Sequence, residues 1–209
     1  MGEFILSQSV GWRRSAAKPY LTGCLCLAAP STPDAFGYLH MGMLSALPNG
    51  SIAAVFQASP DFYEGGALQN LFWTSSRDGV TWSPPSLLIK VNGLPVWSPV
   101  MHTEGGRVWL LYTRSKSMCE YQDRHRNVTR FSPGGDIMVV SSDDSGLSWS
   151  PPQMVLSYET EGGIPKVLAN KLTVLSSGSW VLPFWREPGK TCPQREAIKD
   201  PVTDKTHMV

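Results

Sequence analysis

The chain has 209 residues, of which 42% are hydrophobic and 10% aromatic, with 18 basic and 17 acidic side chains. This composition is sufficient for a packed core and differs from that of a disordered chain. A net charge of +1 without a block of like charge argues against nucleic acid as a partner. No apolar run reaches the roughly 18 residues needed to span a bilayer, so no membrane span is predicted.

The first 35 residues are interpreted as an N-terminal leader or a partial strand. Here Arg13, Arg14 and Lys18 precede the apolar stretch LTGCLCLAA at 21–29. Basic residues before an apolar stretch outline a signal peptide, here within residues 13–29. A buried strand with an irregular leader is the alternative, so both a cytoplasmic and a secreted location stay open.

The four cysteines do not decide the compartment. Cys24 and Cys26 are separated by one residue, too close for an easy mutual disulfide, and Cys119 and Cys192 are far apart in sequence. A CxC pair without further Cys or His at ligand spacing is a weak metal signal. We therefore predict neither a metal nor a cofactor.

From residue 36 onward the chain repeats a pattern in which a turn glycine is followed by a β-branched and aromatic run. The three copies are GSIAAVFQA (50–58), GRVWLLYTR (106–114) and GSWVLPFWR (178–186). Other apolar runs precede them, at 40–47, 98–103 and 170–175. Each pair predicts two antiparallel strands joined by a tight turn.

The first two copies continue into two more strands. The third strands are expected at 67–76 and 135–143, and the fourth at 85–91 and 152–158. Repeated four-stranded units with almost no helical periodicity indicate an all-β fold built from the blades of a β-propeller. A β-sandwich is the alternative, although sandwiches rarely repeat at this scale.

A short polar motif joins the third and fourth strands of both units. In the second unit it consists of Ser142, Asp144, Gly146, Ser148 and Trp149, and in the first of Ser76, Asp78, Gly79, Thr81 and Trp82. The aspartate can accept backbone hydrogen bonds, the glycine permits a positive φ, and the tryptophan can pack between neighbouring sheets. We expect a structural role for this motif.

With these motifs the chain resembles the BNR/Asp-box repeat proteins of the sialidase superfamily. The 142–149 copy matches the Asp-box pattern fully, whereas Asp78 sits one place late in the other copy and Arg77 occupies its usual position. Further matches run from His40 to Gly50, Glu64 to Gly65, Ser76 to Ser83, Trp97 to Val100 and Asn170 to Glu187. The resemblance covers residues 36–190.

The resemblance implies a six-bladed propeller in the complete family, of which this chain supplies about two and a half blades. It implies a glycosidase of the exo-α-sialidase type, active in the whole protein or present here as an inactive fragment, with a glycan or glycoconjugate carrying an acidic sugar as its partner. Sialidases use a tyrosine activated by a glutamate as nucleophile, and later blades than those matched here supply it. They also place an arginine on the first inner strand, where this chain has none and His40 stands near the start.

Strand direction separates the two ends of each predicted unit. The turns after the first and third strands lie at one end, and the loops after the second and fourth lie at the other. The second end collects most ionisable residues: Asp61, Glu64, the segment from Arg114 to Arg130, Glu159, Glu161, Lys166, Arg186 and Glu187. His40, Asn170 and Lys171 start first strands and are expected there too, so this end is the candidate site.

Arg114 and Arg186 occupy equivalent positions after second strands. Two guanidiniums so placed could bind the carboxylate of an acidic sugar, with Asn170 and Lys171 as further binding residues, although local ion pairs are the alternative. For hydrolysis one group must protonate the leaving oxygen, and Asp61 and Glu64 are the candidates.

Glu187 and His40 complete the predicted catalytic set, and solvated loop carboxylates are the alternative reading of the acids. A polysaccharide lyase that uses histidine or lysine as a base, and a non-catalytic carbohydrate-binding propeller, remain alternatives to the hydrolase.

The chain is expected to be part of a longer protein. Closed propellers have about four to eight blades, and residues 191–209 form a polar tail without a strand pattern. Cys119 and Cys192 lie in equivalent loops after Arg114 and Arg186. A disulfide between them is a hypothesis, and two free loop thiols are the preferred interpretation.

Overall fold

A four-stranded antiparallel sheet forms the first repeat unit in this computed structural model, which describes residues 36–160 and 162–186 and the backbone of two short strands beyond them. The strands lie in chain order. They are β1 (Tyr38–Ala46), β2 (Ile52–Ser59), β3 (Asn70–Ser76) and β4 (Ser86–Ile89). Residues 1–35, with the signal-peptide outline, and the tail at 191–209 lie outside the described side chains.

The second unit repeats this order with a hairpin inserted before its third strand. Its strands are β5 (Val96–Glu104) and β6 (Arg107–Arg114), then the hairpin β7 (Glu120–Asp123) and β8 (Val128–Phe131), then β9 (Asp136–Ser142) and β10 (Gln153–Leu156). β5, β6, β9 and β10 form the second four-stranded sheet. All eight strands predicted for the two units are present, whereas the hairpin falls in a segment that we expected to be a polar loop.

The third unit is a single irregular hairpin of four short strands. They are β11 (Lys166–Leu168), β12 (Thr173–Val174), β13 (Trp180–Val181) and β14 (Phe184–Arg186). β11 pairs with β14, and β12 pairs with β13. The last described strands, β15 (Ile198–Lys199) and β16 (Thr206–His207), pair with each other.

The first strands of both sheets contain the same irregularity. The register shifts between His40 and Met43 in β1 and between Trp97 and Val100 in β5. The first extra residue of each bulge, Met41 or Ser98, has a φ of 52°. A positive φ is uncommon outside glycine, and a β-bulge accounts for it here. The repeat therefore extends to backbone detail that the sequence comparison did not show.

The core lies on both faces of the second sheet. Leu110 of β6 belongs to a cluster with Val55 and Trp73 of the first sheet, and the next residue, Leu111, packs with Leu168 of the third unit. Successive strand residues point to opposite faces, so one buried strand serves two interfaces. The three units therefore stack face to face.

The structure confirms an all-β fold, since the regular elements of the described residues are strands apart from one 3-10 turn at Ser117–Cys119. These residues do not close into a barrel or a propeller, so the six-bladed ring stays a prediction. No helix in the described part of the chain has the length and apolar character needed to cross a membrane.

Both polar turns are held by their aspartates. Asp144 Oδ1 accepts the Ser148 N–H at 2.8 Å, and Ser142 Oγ accepts the Gly146 N–H at 2.8 Å. In the first unit Asp78 Oδ1 accepts the N–H groups of Val80 and Thr81 at 2.8 and 2.7 Å. Asp78 thus makes equivalent bonds although it lies one place late in the sequence.

The second turn also fastens the two sheets together. Trp149 packs edge to face on Trp73 of the first sheet, with ring centroids 5.4 Å apart. Its indole N–H donates to the Gly146 carbonyl at 3.2 Å. A Cβ on Gly146, where φ is +92°, would lie 2.4 Å from the Trp73 ring. Glycine is therefore required at this position for close approach as well as for φ.

Acid is expected to destabilise the fold through the second turn. Hydrogen bonds from Ser148 and Ser142 lower the pKa of Asp144 from 3.8 to about 2. A carboxyl whose pKa is lower in the folded state stabilises that state above its unfolded pKa, and this contribution is lost as the pH falls through the folded value. The melting temperature should therefore decrease between about pH 4 and pH 2.

An Asp144→Asn variant tests this expectation by thermal denaturation. Its melting temperature should be lower than that of the wild type at neutral pH. Acidification through the same pH range should then lower its melting temperature by less than that of the wild type. The exposed Leu147 in the same turn provides the control, since Leu147→Ala should leave the pH profile unchanged. Parallel acid profiles for Asp144→Asn and the wild type would contradict the assignment.

Candidate functional site

Glu64 is the centre of the candidate site. It lies in the β2–β3 loop, and its side chain is 30% exposed. Gln57 Nε2 donates to Glu64 Oε1 at 2.9 Å, and His40 Nδ1 lies 3.5 Å from the same oxygen. Tyr38 is near enough for the negative charge of Glu64 to raise the pKa of its hydroxyl group. The structure therefore brings together His40 and Glu64, two of the residues selected from the sequence.

Gln57 fixes this carboxyl group relative to the second sheet. Its side chain is fully buried in β2. While its amide nitrogen donates to Glu64, its Oε1 accepts the N–H of Ser98, the bulge residue of β5, at 2.9 Å. A buried amide satisfied at both ends has one orientation. The position of Glu64 therefore depends on how the first two sheets are packed.

The loop that carries Glu64 is also tied to its neighbours through the backbone. The Gly65 N–H donates to Gln69 Oε1 at 3.0 Å, and Gln69 Nε2 donates to the Val96 carbonyl at 3.0 Å. The Phe131 N–H donates to the Gly65 carbonyl at 2.8 Å. The β7–β8 hairpin and β5 thus hold the loop from two sides.

Burial is the main cause of a raised pKa at Tyr38, and the negative charge of Glu64 raises it further. The positive charge of Arg130 acts in the opposite direction on Tyr38 and also on Tyr63, whose pKa is raised mainly by burial and by Asp61. Tyr38 therefore stays protonated at neutral pH and can donate to Glu64. The positive charge of Arg130 therefore acts on two tyrosines, one beside Glu64 and one in the loop that carries it.

Arg130 itself projects from the β7–β8 hairpin. Its side chain is 12% exposed and lies 3.4 Å from the Asp123 carboxylate. The guanidinium stacks over Tyr121, 5.9 Å from the ring centroid. Its Nε is buried and makes no hydrogen bond with the described residues. One donor of this cation is therefore unused.

Asp61, the other acid candidate, contributes to the shape of its own loop. Ser59 Oγ donates to Asp61 Oδ2 at 3.1 Å, and the Asp61 N–H donates back to Ser59 Oγ at 3.1 Å. The carboxylate also fills the space next to Gly66, where an added Cβ would lie 2.3 Å from Oδ2. These contacts resemble a turn cap.

Arg114, at the end of β6, is partly exposed and pairs with a buried carboxylate. Arg114 Nη2 and Lys116 Nζ are each 2.9 Å from Asp136 Oδ2. Asp136 is completely buried, and its Oδ1 accepts the Tyr158 N–H at 2.7 Å. Burial alone would raise the pKa of Asp136, but the Tyr158 N–H, Lys116 and Arg114 hold it below its usual value. Arg114 therefore has the local ion pair that we considered as its alternative role.

The second predicted arginine, Arg186, is the last residue of β14 and pairs with Lys166 of β11. Lys166 is in turn bridged to Gly135, next to Asp136. Arg114 and Arg186 thus sit at the same end of neighbouring units, separated by these strands. Glu187, the residue after Arg186, lies outside the described residues.

Asn170 and Lys171 are exposed between β11 and β12. The inner strand of the third unit begins at Lys166, four residues before the predicted start at 170. Both residues therefore lie past the strand's beginning, further from the Glu64 end than expected. Their role as binding residues stays a prediction.

The interpretation of Cys119 as a free thiol was wrong. Cys119 is buried and disulfide-bonded, and its sulfur lies 3.7 Å from the Tyr158 hydroxyl. The other three cysteines of the chain, Cys24, Cys26 and Cys192, are outside the described residues. A disulfide in this loop restrains the base of the β7–β8 hairpin.

Three residues of the site were missed from the sequence, and one signal could have found them. They are Tyr38, Gln57 and Asp136, and each lies at the end of a strand or within an apolar run. A polar side chain at such a position needs a hydrogen-bond partner if it is buried. Gln57 in AAVFQAS is the clearest case. Within residues 36–160 and 162–186, no group of three or more His, Cys, Asp and Glu side chains could hold a metal ion.

Solved structures define the class of this fold. A protein of unknown function from Dyadobacter fermentans aligns at a TM-score of 0.54 with 17% identity over 69% of this chain and 45% of that one. The intramolecular trans-sialidase of Ruminococcus gnavus, in complex with oseltamivir carboxylate, aligns at 0.53 with 14% identity over 74% and 57%. A leech intramolecular trans-sialidase complexed with 2,7-anhydro-Neu5Ac gives 0.51 with 13% identity over 74% and 41%. The fold is sialidase-like.

The chain belongs to the BNR repeat-like domain family, which matches residues 50–201. It spans less than two thirds of the length of each of the three solved structures above. None of the curated proteins matches the sequence. The identities of 13–17% to these structures establish a shared fold and nothing more.

Proposed function

We propose that the chain is part of a sialidase-like glycoside hydrolase of the exo-α-sialidase type, which acts on a glycan ending in an acidic sugar. We further propose that its sheets are blades of a six-bladed propeller. One observation carries the proposal: Glu64 is partly exposed and contacted by Gln57 and His40. The site is formed by loops on a rigid sheet scaffold, where catalytic groups are commonly found.

Glu64 would act as the general acid that protonates the glycosidic oxygen. A carboxyl group in this role must be oriented by its neighbours and still reach the substrate. The hydrogen bond from Gln57 orients the Glu64 carboxyl group, and the exposed part of Glu64 gives access to the substrate. His40, 3.5 Å away and itself 44% exposed, can exchange a proton between Glu64 and solvent. Asp61 would shape the loop.

The cations at this end support an acidic sugar as the substrate. Arg130 affects the electrostatics of Tyr38, and Arg186 lies at the same end of the third unit. A guanidinium binds a carboxylate through two parallel hydrogen bonds, which makes arginine suited to sugar acids. Glu187, Asn170 and Lys171 remain further proposed contacts. Arg114, already paired with Asp136, would contribute charge more than direct contact.

A polysaccharide lyase is the second candidate, and the pairing of Tyr38 with His40 favours it. Their rings are 5.9 Å apart in an edge-to-face arrangement. A lyase needs a base that removes the proton next to a uronate carboxylate and an acid that protonates the leaving oxygen. His40 and the protonated Tyr38 could take these two roles.

Two parallel assays of a full-length version of the protein, which includes the later blades expected to supply the nucleophile, test the proposal. One measures fluorophore release from a fluorogenic α-sialoside, and the other measures new unsaturated ends on a uronate-containing polysaccharide. Release of the fluorophore, abolished or reduced in Arg186→Ala, supports the hydrolase. Unsaturated ends without fluorophore release would replace it with the lyase. Glycan binding without either product would identify a non-catalytic binding protein and overturn the hydrolase, as would no binding.

A further inference from the structure

We propose that the β7–β8 hairpin forms a second anion subsite, which binds the acidic group of the sugar next to the one at Glu64. This inference rests on the proposed function and adds to it a preference for glycans with two or more neighbouring acidic units. The hairpin was not recognised in the sequence, and its tip residues Arg124, His125 and Arg126 take no part in the Glu64 site described above.

The hairpin stands directly beside the Glu64 loop. Its last residue, Phe131, donates its N–H to the Gly65 carbonyl at 2.8 Å, and the next residue, Ser132, donates to the Cys119 carbonyl at 3.0 Å. Phe131 and Cys119 are both buried, and Cys119 is disulfide-bonded. The base of the hairpin is therefore fixed, and its tip extends from the edge of the site.

The tip concentrates positive charge in a chain that is nearly neutral. Arg124, His125, Arg126 and Arg130 lie within seven residues, whereas the whole chain has a net charge of +1. Arg124, His125 and Arg126 are all exposed. Positive side chains on one rigid element beside a cleft attract anionic ligands.

Asp123 determines the shape of the hairpin tip but does not neutralise its positive charge. Its Oδ1 accepts the N–H groups of His125 and Arg126 at 3.1 and 3.2 Å, which forms a turn cap. Its Oδ2 lies 3.1 Å from Arg126 Nη1 and 3.4 Å from Arg130 Nη1. One carboxylate thus serves two guanidiniums. Arg124 makes no hydrogen bond or ion pair with the described residues and projects from an ordered turn.

Arg130 connects the tip to the Glu64 site. Arg130 directly precedes Phe131, whose N–H donates to the Gly65 carbonyl, and the charge of Arg130 also acts on Tyr38 and Tyr63. Its Nε is buried without a hydrogen-bond partner among the described residues, although a buried donor is normally paired. Arg130 thus has hydrogen-bonding capacity that Asp123 does not use.

The chemistry of the tip favours an anionic glycan over nucleic acid. Guanidiniums pair with carboxylate or sulfate groups on successive sugars. Nucleic-acid binding needs a more extended basic surface and exposed aromatic side chains for stacking. Here neither aromatic ring of the hairpin is free for stacking, because Phe131 is buried and Tyr121 is covered by Arg130.

Binding measurements with the full chain test the subsite. The probes are monomeric sialic acid and a short oligomer of linked sialic acid units, with neutral dextran as the uncharged control. We expect the oligomer to bind about tenfold more tightly than the monomer at low ionic strength, and this advantage should shrink with added salt. Arg124→Gln should reduce oligomer affinity about three- to tenfold while monomer affinity stays unchanged.

Arg77→Gln is the matched control, because Arg77 is also exposed and lies in the polar turn at the opposite end of the first sheet. It should leave both affinities unchanged. Arg124→Glu reverses the charge at this exposed position. It should lower the affinity for the oligomer more than Arg124→Gln does, which checks that the effect is electrostatic.

Four results would overturn the subsite, and they separate it from the proposed function. Monomer binding with no gain for the oligomer, or equal effects of Arg124→Gln and Arg77→Gln, would remove the subsite and leave the acidic-sugar site in place. Equal affinity for single-stranded DNA of the same charge would show general polyanion binding. Failure of both sialic acid probes to bind would remove the proposed substrate together with the subsite.

Discussion

Replacement of Lys166 with methionine is expected to lower the free energy of unfolding by about 3–5 kcal/mol. Lys166 is completely buried in β11. Its ammonium donates to the carbonyl oxygens of Thr160, Ser157 and Tyr158 at 2.8, 3.0 and 3.2 Å, and that of Ile164 lies at 3.5 Å. Methionine has a similar length but no donor, so it would leave these carbonyl oxygens without the cation that they surround.

Chemical denaturation followed by tryptophan fluorescence measures this effect, and Lys171→Met is the control. Lys171 lies five residues later in the same unit with its side chain exposed, so its replacement should change the free energy of unfolding by less than about 0.5 kcal/mol. Hydrogen exchange gives a second readout, because amides at 157–160 should exchange faster in Lys166→Met. Equal stability of the two variants would show that the carbonyl oxygens find other donors.

Loss of the Lys166 ammonium is expected to affect the candidate site as well as the stability of the fold. Tyr158, whose carbonyl binds Lys166, also donates its N–H to Asp136. Asp136 holds Arg114 and Lys116. A buried polar network of this kind is costly when one member is left unpaired, since the low dielectric strengthens each lost interaction. Lys166 therefore supports the arginine end of the second and third units together.

The strand order was predictable because each signal was local. The turn glycines, the alternation of apolar residues and the SxDxG turns each depend on a few consecutive residues, and the eight strands of the first two sheets follow from them. The β7–β8 hairpin was missed because EYQD and VTRF bury little apolar surface. This hairpin depends on Phe131, Asp123 and the disulfide-bonded Cys119, which make contacts that no local pattern shows.

The candidate site was predictable in part for the same reason. His40 and Glu64 could be placed at one end by strand direction, and they are 3.5 Å apart. The partner of Arg114 could not be chosen from the sequence, because Asp136 lies 22 residues away across an inserted hairpin. Gln57 looks like one more strand residue until its contacts to Glu64 and Ser98 are known. Partners brought together by sheet stacking need the tertiary structure.

Replacement of Glu64 with glutamine is expected to lower kcat/KM for the glycan substrate about 10²- to 10⁴-fold, with little change in substrate binding. Glutamine has the same shape and can still accept the hydrogen bond from Gln57, but it cannot deliver a proton to the leaving oxygen. The loss should therefore appear in kcat. Steady-state kinetics with the substrate that the parallel assays identify provide the measurement.

Glu120→Gln is the matched control for this substitution. Glu120 is an exposed carboxylate in β7, at the same end of the sheets, and makes no side-chain hydrogen bond or ion pair with the described residues. It should retain wild-type kcat and KM, which separates proton transfer from a general loss of negative charge at this end.

Two outcomes would contradict the role of Glu64 as the general acid. If the kcat/KM of Glu64→Gln were within twofold of that of Glu120→Gln at unchanged melting temperature, Glu64 would only hold the loop. Asp61 would then become the acid to test. If KM increased while kcat stayed constant, Glu64 would bind the substrate without transferring a proton, because a general acid acts in the transition state and contributes little to the ground-state complex.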